Sequence, residues 1–134
     1  MRTKQRRTES LRRREERWQR EDEANRLAEE VPKLSSLSIE ILEQSTESAQ
    51  PPTRYVRRVP VESAPALFEI PCSEQKCEDG GYDITRAVMN GLRSGETHFE
   101  GTINCSGSLP EQLCSRSLRW IVKASYVAQR ADAA

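Results

Sequence analysis

The sequence predicts an α+β fold: a small antiparallel sheet with one short helix between two cysteine pairs, preceded by a charged N-terminal helix. Three observations predict it. Several short runs alternate apolar and polar residues, the period of a half-buried strand. Between Cys77 and Cys105, Ile84, Val88 and Leu92 recur every four residues, the spacing of one helix face. Residues 8–30 are rich in Arg, Glu, Gln, Leu and Ala and contain neither Gly nor Pro, a composition of strong helix formers.

In chain order, the first element is that charged helix. Its acids and bases fall at helical neighbour spacing, as with Glu9 and Arg13 or Glu16 and Arg20. Its apolar positions are sparse: Leu11 and Trp18 stand seven apart, but position 25 is Asn and no heptad is sustained. A single solvated helix ending near Pro32 is expected. Leu37, Ile39 and Ile41 alternate with Ser38, Glu40 and Leu42, predicting a strand over 34–43. A polar run with Pro51-Pro52 reads as a loop, and Tyr55 to Val61 as a second strand able to pair with the first as a hairpin. Ala66 to Ile70 reads as a short strand running into Pro71-Cys72, and Asp79-Gly80-Gly81 as a turn. Asp83 is placed to cap the helix that follows, and Gly91 or Gly95 to end it. Thr97 to Ile103 and the β-branched, aromatic run Leu118 to Val127 are the last two strands. The chain is expected to divide into a charged helical or partly disordered arm (1–33), a strand-loop-strand segment (34–64) and a four-cysteine zinc-binding domain (65–134).

Composition narrows the class. The 134 residues carry 35% hydrophobic and 31% charged side chains, too polar an average for a core that spans every residue. A second half that packs alone is of a size at which a metal or disulfides often supplement a thin core. The formal net charge of zero, from 21 Lys+Arg and 21 Asp+Glu, conceals segregation. Residues 2–20 hold nine basic groups against three glutamates, and residues 21–50 hold eight acids against Arg26 and Lys33. No apolar run approaches the roughly 18–20 residues of a membrane span, and the arginine-rich start lacks the apolar stretch of a secretory signal. A cytoplasmic location and no membrane partner are the expectation.

The four cysteines fall in two pairs, Cys72/Cys77 and Cys105/Cys114. Zinc takes four soft ligands in a tetrahedron, and two close pairs joined by secondary structure are how a small domain supplies them. Four residues separate the first pair and eight the second, a longer loop than a tight knuckle. The expectation is a structural Zn2+ on Cys72, Cys77, Cys105 and Cys114. The competing readings are small buried hydrophobes and, in an oxidising compartment, disulfides. His98, the only histidine, can in principle replace a thiolate. On a strand it would point away from a site at the strand's end, and an ordinary half-exposed side chain is the simpler reading.

The cysteine half also resembles zinc-ribbon-like modules and, more loosely, a group of small uncharacterised bacterial proteins. The resemblance covers residues 65–127 and is carried by Cys72…Cys77, Gly80-Gly81-Tyr82-Asp83-Ile84-Thr85, Phe99-Glu100-Gly101, Cys105-Ser106-Gly107 and Cys114 before a final strand. It implies a structural metal and a binding role and specifies no ligand.

No catalytic constellation is read. Four thiolates close a zinc shell that a catalytic site leaves open. The His-x-Glu…Pro-Cys-x-x-Cys pattern of zinc deaminases is absent, and Gly80-Gly81 lacks the lysine and spacing of a phosphate loop. No small-molecule substrate is evident. Two binding classes compete. Arg6, Arg7, Arg12, Arg13, Arg14 and Arg17 suit phosphates and Trp18 suits base stacking, pointing to nucleic acid or a ribonucleoprotein or transcription complex. The interleaved glutamates equally suit a solvated helix face, leaving a protein–protein adaptor as the alternative.

Overall fold

A computed structural model describes residues 14–45, 52–73, 77–78, 80–110 and 112–127. Helix α1 covers 14–23, and the single turn α2 is Leu27–Glu30. The strands are β1 (Leu34–Ser45), β2 (Thr53–Val59), β3 (Glu69–Ile70), β4 (Tyr82–Asp83), β5 (His98–Asn104), β6 (Ser108–Leu109), β7 (Gln112–Leu113) and β8 (Arg116–Tyr126), with helix α3 (Thr85–Arg93) between β4 and β5. The architecture is mixed α and β with antiparallel pairing throughout its strands, as the sequence predicts.

One sheet of four strands, in the order β2-β1-β8-β5, organises the molecule. β1 and β2 form the expected hairpin, with Leu37 opposite Val59 and Ile41 opposite Tyr55. The other edge of β1 pairs with β8, from Leu34 opposite Tyr126 to Ser45 opposite Arg116. The segments 34–64 and 65–134 distinguished in the sequence therefore share one sheet and one core. A bulge between Leu34 and Ser36 restores the inward phase at the start of β1, so Leu34 is buried with Leu37, Ile39 and Ile41. On β8, Leu118, Trp120, Val122 and Ala124 are buried in the same phase. β2 is buried only at Val59, which is the edge position its mixed sequence suits.

The inner sheet face is packed by α2, α3 and the β3–β4 ribbon through Leu27, Phe68, Ile70, Tyr82, Val88 and Leu92. In α3 the four-residue repeat turns Ile84, Val88 and Leu92 inward, joined by Met89. The backbone N–H of Thr85 donates to Asp83 Oδ1 at 3.0 Å, and Phe68 N–H donates to Thr85 Oγ1 at 2.7 Å, which fixes the start of α3 against the strand before the first cysteine. Gly95 ends it. At φ +75° it donates to Leu92 O while Glu96 donates to Gly91 O, the paired bonds of a glycine-closed helix terminus.

The N-terminal helix departs from expectation. It is not one helix to residue 30 but breaks at 24–26, where Leu27 N–H donates to Ala64 O and Ala66 N–H to Asn25 O. An antiparallel bridge of Arg26 with Pro65 takes the backbone groups a helix would have used. The break turns Leu27 (fully buried) and Val31 into the core, worth about 1.5–3 kcal/mol for each side chain. Upstream, α1 is tied down by a bidentate Arg20–Glu69 pair at 2.7 and 2.8 Å. Among the described residues no helix is long and apolar enough to cross a membrane.

Candidate metal centre

Two loops meet at one end of the molecule, and each carries one cysteine pair. The first, residues 71–81, is closed at its base by the β3–β4 ribbon, where Ile70 faces Tyr82. The second, residues 105–115, is closed by β5 and β8, with Cys105 N–H donating to Arg116 O at 2.9 Å. Within it the short β6–β7 hairpin turns the chain, and Cys114 N–H donates to Gly107 O at 3.1 Å. The two loops are joined by reciprocal backbone bonds between Glu78 and Ser108, at 2.8 and 2.9 Å. Hydrogen bonding thus supplies the approach that brings distant cysteines together.

The result is a cluster of the four ligands that the sequence predicts. The Sγ atoms of Cys72, Cys77, Cys105 and Cys114 all lie within 4.8 Å of one another. Two close approaches cross between the loops: Cys77 to Cys105 at 3.6 Å and Cys72 to Cys114 at 3.8 Å. Thiolates about 2.3 Å from one zinc ion stand about 3.8 Å apart at the corners of a tetrahedron. All four are free cysteines, two buried and two half-buried.

The backbone around the sulfurs leaves no room for other side chains. A Cβ at Gly80 would come 2.2 Å from Cys77 Sγ and 2.8 Å from Cys105 Sγ, and one at Gly107 would come 2.4 Å from Cys77 Sγ. Only glycine allows the chain this close. The closeness is used, since Gly107 N–H donates to Cys105 Sγ at 3.4 Å. Burial opposes ionisation of Cys105, but the backbone N–H groups of Gly107 and Gly81 and the neighbouring thiols outweigh it and lower its pKa below the ordinary thiol value. At Cys77, burial and then the adjoining cysteines push the thiol up.

Glu43, which the sequence reading missed, supports the first loop. It is buried on β1, and its Oε2 accepts the Tyr82 hydroxyl at 2.8 Å and the backbone N–H of Ser73, next to Cys72, at 3.1 Å. Burial, with the Glu43 bond second, pushes the Tyr82 phenol well above its usual range. A signal was present in the sequence: position 43 ends the strand expected over 34–43 and is in phase with Leu37, Ile39 and Ile41, so the same alternation turns it inward.

The other residues singled out from the sequence lie elsewhere. His98 is exposed at the first residue of β5, the end remote from Cys105, and is outside the cluster. Arg14, Arg17 and Trp18 are on α1, with Trp18 52% exposed and Arg17 Nε 3.9 Å from Glu21. Arg6, Arg7, Arg12 and Arg13 lie outside the described residues. No family model matches the chain, and no curated protein or solved structure is significantly similar to it. The four-cysteine cluster accordingly stands on its own geometry, without a ribbon family to place it in.

Proposed function

We propose that the four thiolates hold one structural Zn2+ and that the chain is a non-catalytic binding module that contacts nucleic acid, alone or within a ribonucleoprotein or transcription complex. The observation that carries the metal is the spacing of the four sulfurs, 3.6 and 3.8 Å across the loops, close to the edge of a zinc–thiolate tetrahedron. Cys72, Cys77, Cys105 and Cys114 supply every ligand, which leaves no open position for substrate or water. The ion's part is to fasten the two cysteine loops to each other. Support for nucleic acid comes from the arginines of residues 2–20 and from the exposed ring of Trp18.

Elemental analysis of protein purified without chelator tests the metal. About one zinc per chain is expected, and chelation should remove it together with the order of the two cysteine loops. Iron in place of zinc, or a metal-free chain that folds fully, overturns the assignment. For the binding role, affinity for an oligonucleotide should fall steeply as salt rises, and salt-insensitive or absent binding defeats it. The adaptor alternative draws on β2, an edge strand exposed along Thr53 to Arg58 and open to pairing with a partner's strand. Partners retained from lysate after nuclease treatment, together with absent oligonucleotide binding, favour that alternative.

A further inference from the structure

The outer face of the four-stranded sheet carries only exposed and half-buried residues. Register sets Arg58, Lys123 and His98 in one row across it, on β2, β8 and β5. Four residues along the strands, Arg54 and Arg119 occupy a second row with Leu42 between them. The row between these two reads Val56, Glu40, Ile121 and Glu100, so Val56 and Ile121 flank Glu40 and make with Leu42 a small apolar patch around it, Val56 being 56% exposed. Charge is polarised accordingly. Among the described residues this face holds four Lys or Arg and two glutamates, whereas the rest hold nine and thirteen acids.

The two glutamates do not cancel the face. Glu40 pairs with Arg54 at 3.2 Å and Glu100 with Arg119 at 2.7 Å, both pairs solvent-exposed and of a kind weak enough to exchange for another anion. Arg58 and Lys123 have no carboxylate partner among the described residues. Strands stand about 4.8 Å apart and rise about 3.4 Å per residue, so cations within a row are about 10 Å apart and the rows about 13 Å apart. One small anion cannot bridge such distances; a polymer with regularly spaced charges can. The apolar side chains of Val56, Ile121 and Leu42, grouped around the Arg54-paired Glu40, give unpaired bases a surface to lie on, which a duplex with its bases stacked inside would not use.

We propose that this outer sheet face is a single-stranded nucleic-acid surface, with phosphates on the Arg58/Lys123 and Arg54/Arg119 rows and bases over Val56, Leu42 and Ile121. This surface rests on the nucleic-acid reading above and moves the principal contact from the N-terminal arginines to the sheet. The test uses the full metal-loaded chain and a fluorescein-labelled single-stranded 20-mer of thymidine, followed by anisotropy across a salt series. R58E/K123E is expected to weaken binding at least about tenfold and to flatten the logarithmic salt slope by about 1.4, roughly 0.7 for each phosphate no longer neutralised. R58A/K123A should move both readouts the same way by less. K33E/R86E, at exposed positions outside this face, should change affinity less than about twofold. Equal losses from the sheet pair and this control overturn the proposal. Loss confined to R6E/R7E/R12E/R13E also overturns it, while the nucleic-acid reading stands. Absent oligonucleotide binding removes both, as does binding to phosphatidylserine vesicles in its place.

Discussion

The sheet and the cysteine loops are held together by different means. Along β1 and β8, pairing runs the length of both strands, and Ile39, Ile41, Leu118 and Val122 are at most 2% exposed. At the cysteine end, the strands β3, β4, β6 and β7 are two residues each, and the loops meet through the isolated Glu78–Ser108 bridge and longer bonds from Ser106 to Gly81 O. Strands so short close few hydrogen bonds for the backbone entropy they cost, although Ile70 and Tyr82 reach into the sheet core. Apolar burial thus supports the sheet, and at the cysteine end four sulfurs converge where the proposed metal would join the two loops.

The largest break in that comparison comes from the proposed metal ligands. Structural zinc contributes about 10–16 kcal/mol in small zinc-dependent peptides, so Cys105→Ser should abolish stoichiometric zinc. Hydrogen exchange should then accelerate through residues 71–81 and 105–115 while the amides joining β1 to β8 keep most of their protection. Simultaneous loss at both ends means that the two regions are one cooperative unit. Next in size is Leu118→Ala, expected to lower stability by about 2–5 kcal/mol in denaturant titration. Because Leu118 is 1% exposed in the sheet core, that loss should persist after chelation. Smallest is Glu43→Ala, which leaves the Tyr82 hydroxyl and the Ser73 N–H without their acceptor at a cost of about 1–3 kcal/mol. Thermal melts with and without chelator locate Glu43 in the comparison: a loss larger in the metal-loaded protein assigns it to the loops, and equal losses assign it to the sheet.

What could be read from the sequence was local. The alternation of Leu37, Ile39 and Ile41, the spacing of Ile84, Val88 and Leu92, and the β-branched run in β8 each declare themselves within a few residues. So do the cysteine pairs, whose residue type is informative wherever they sit. The break in the N-terminal helix could not be read this way. Its cause is backbone bonding of Asn25 and Leu27 to a segment near Pro65, and Ala24-Asn25-Arg26 contains no strong breaker. The β1–β8 pairing was equally hidden, because no local signal says which distant strand fills an open edge. Arg116 shows a related difficulty: it is buried in phase with Leu118 and Trp120, where composition alone expects a solvated arginine.

The pairing of β1 with β8 also sets an order of events. Leu37 meets Ala124 and Glu43 meets Leu118, so the central ladder of the sheet joins segments far apart along the chain. Closing so long a loop costs entropy before any pairing returns it, and topologies built on such pairs fold slowly. The hairpin of β1 with β2 and the span from β3 to β5 are complete in sequence before β8 is reached. During synthesis, the edge of β1 that β8 occupies therefore has no strand to pair with until β8 emerges. In that interval the nascent chain is at its most vulnerable to pairing with the wrong strand.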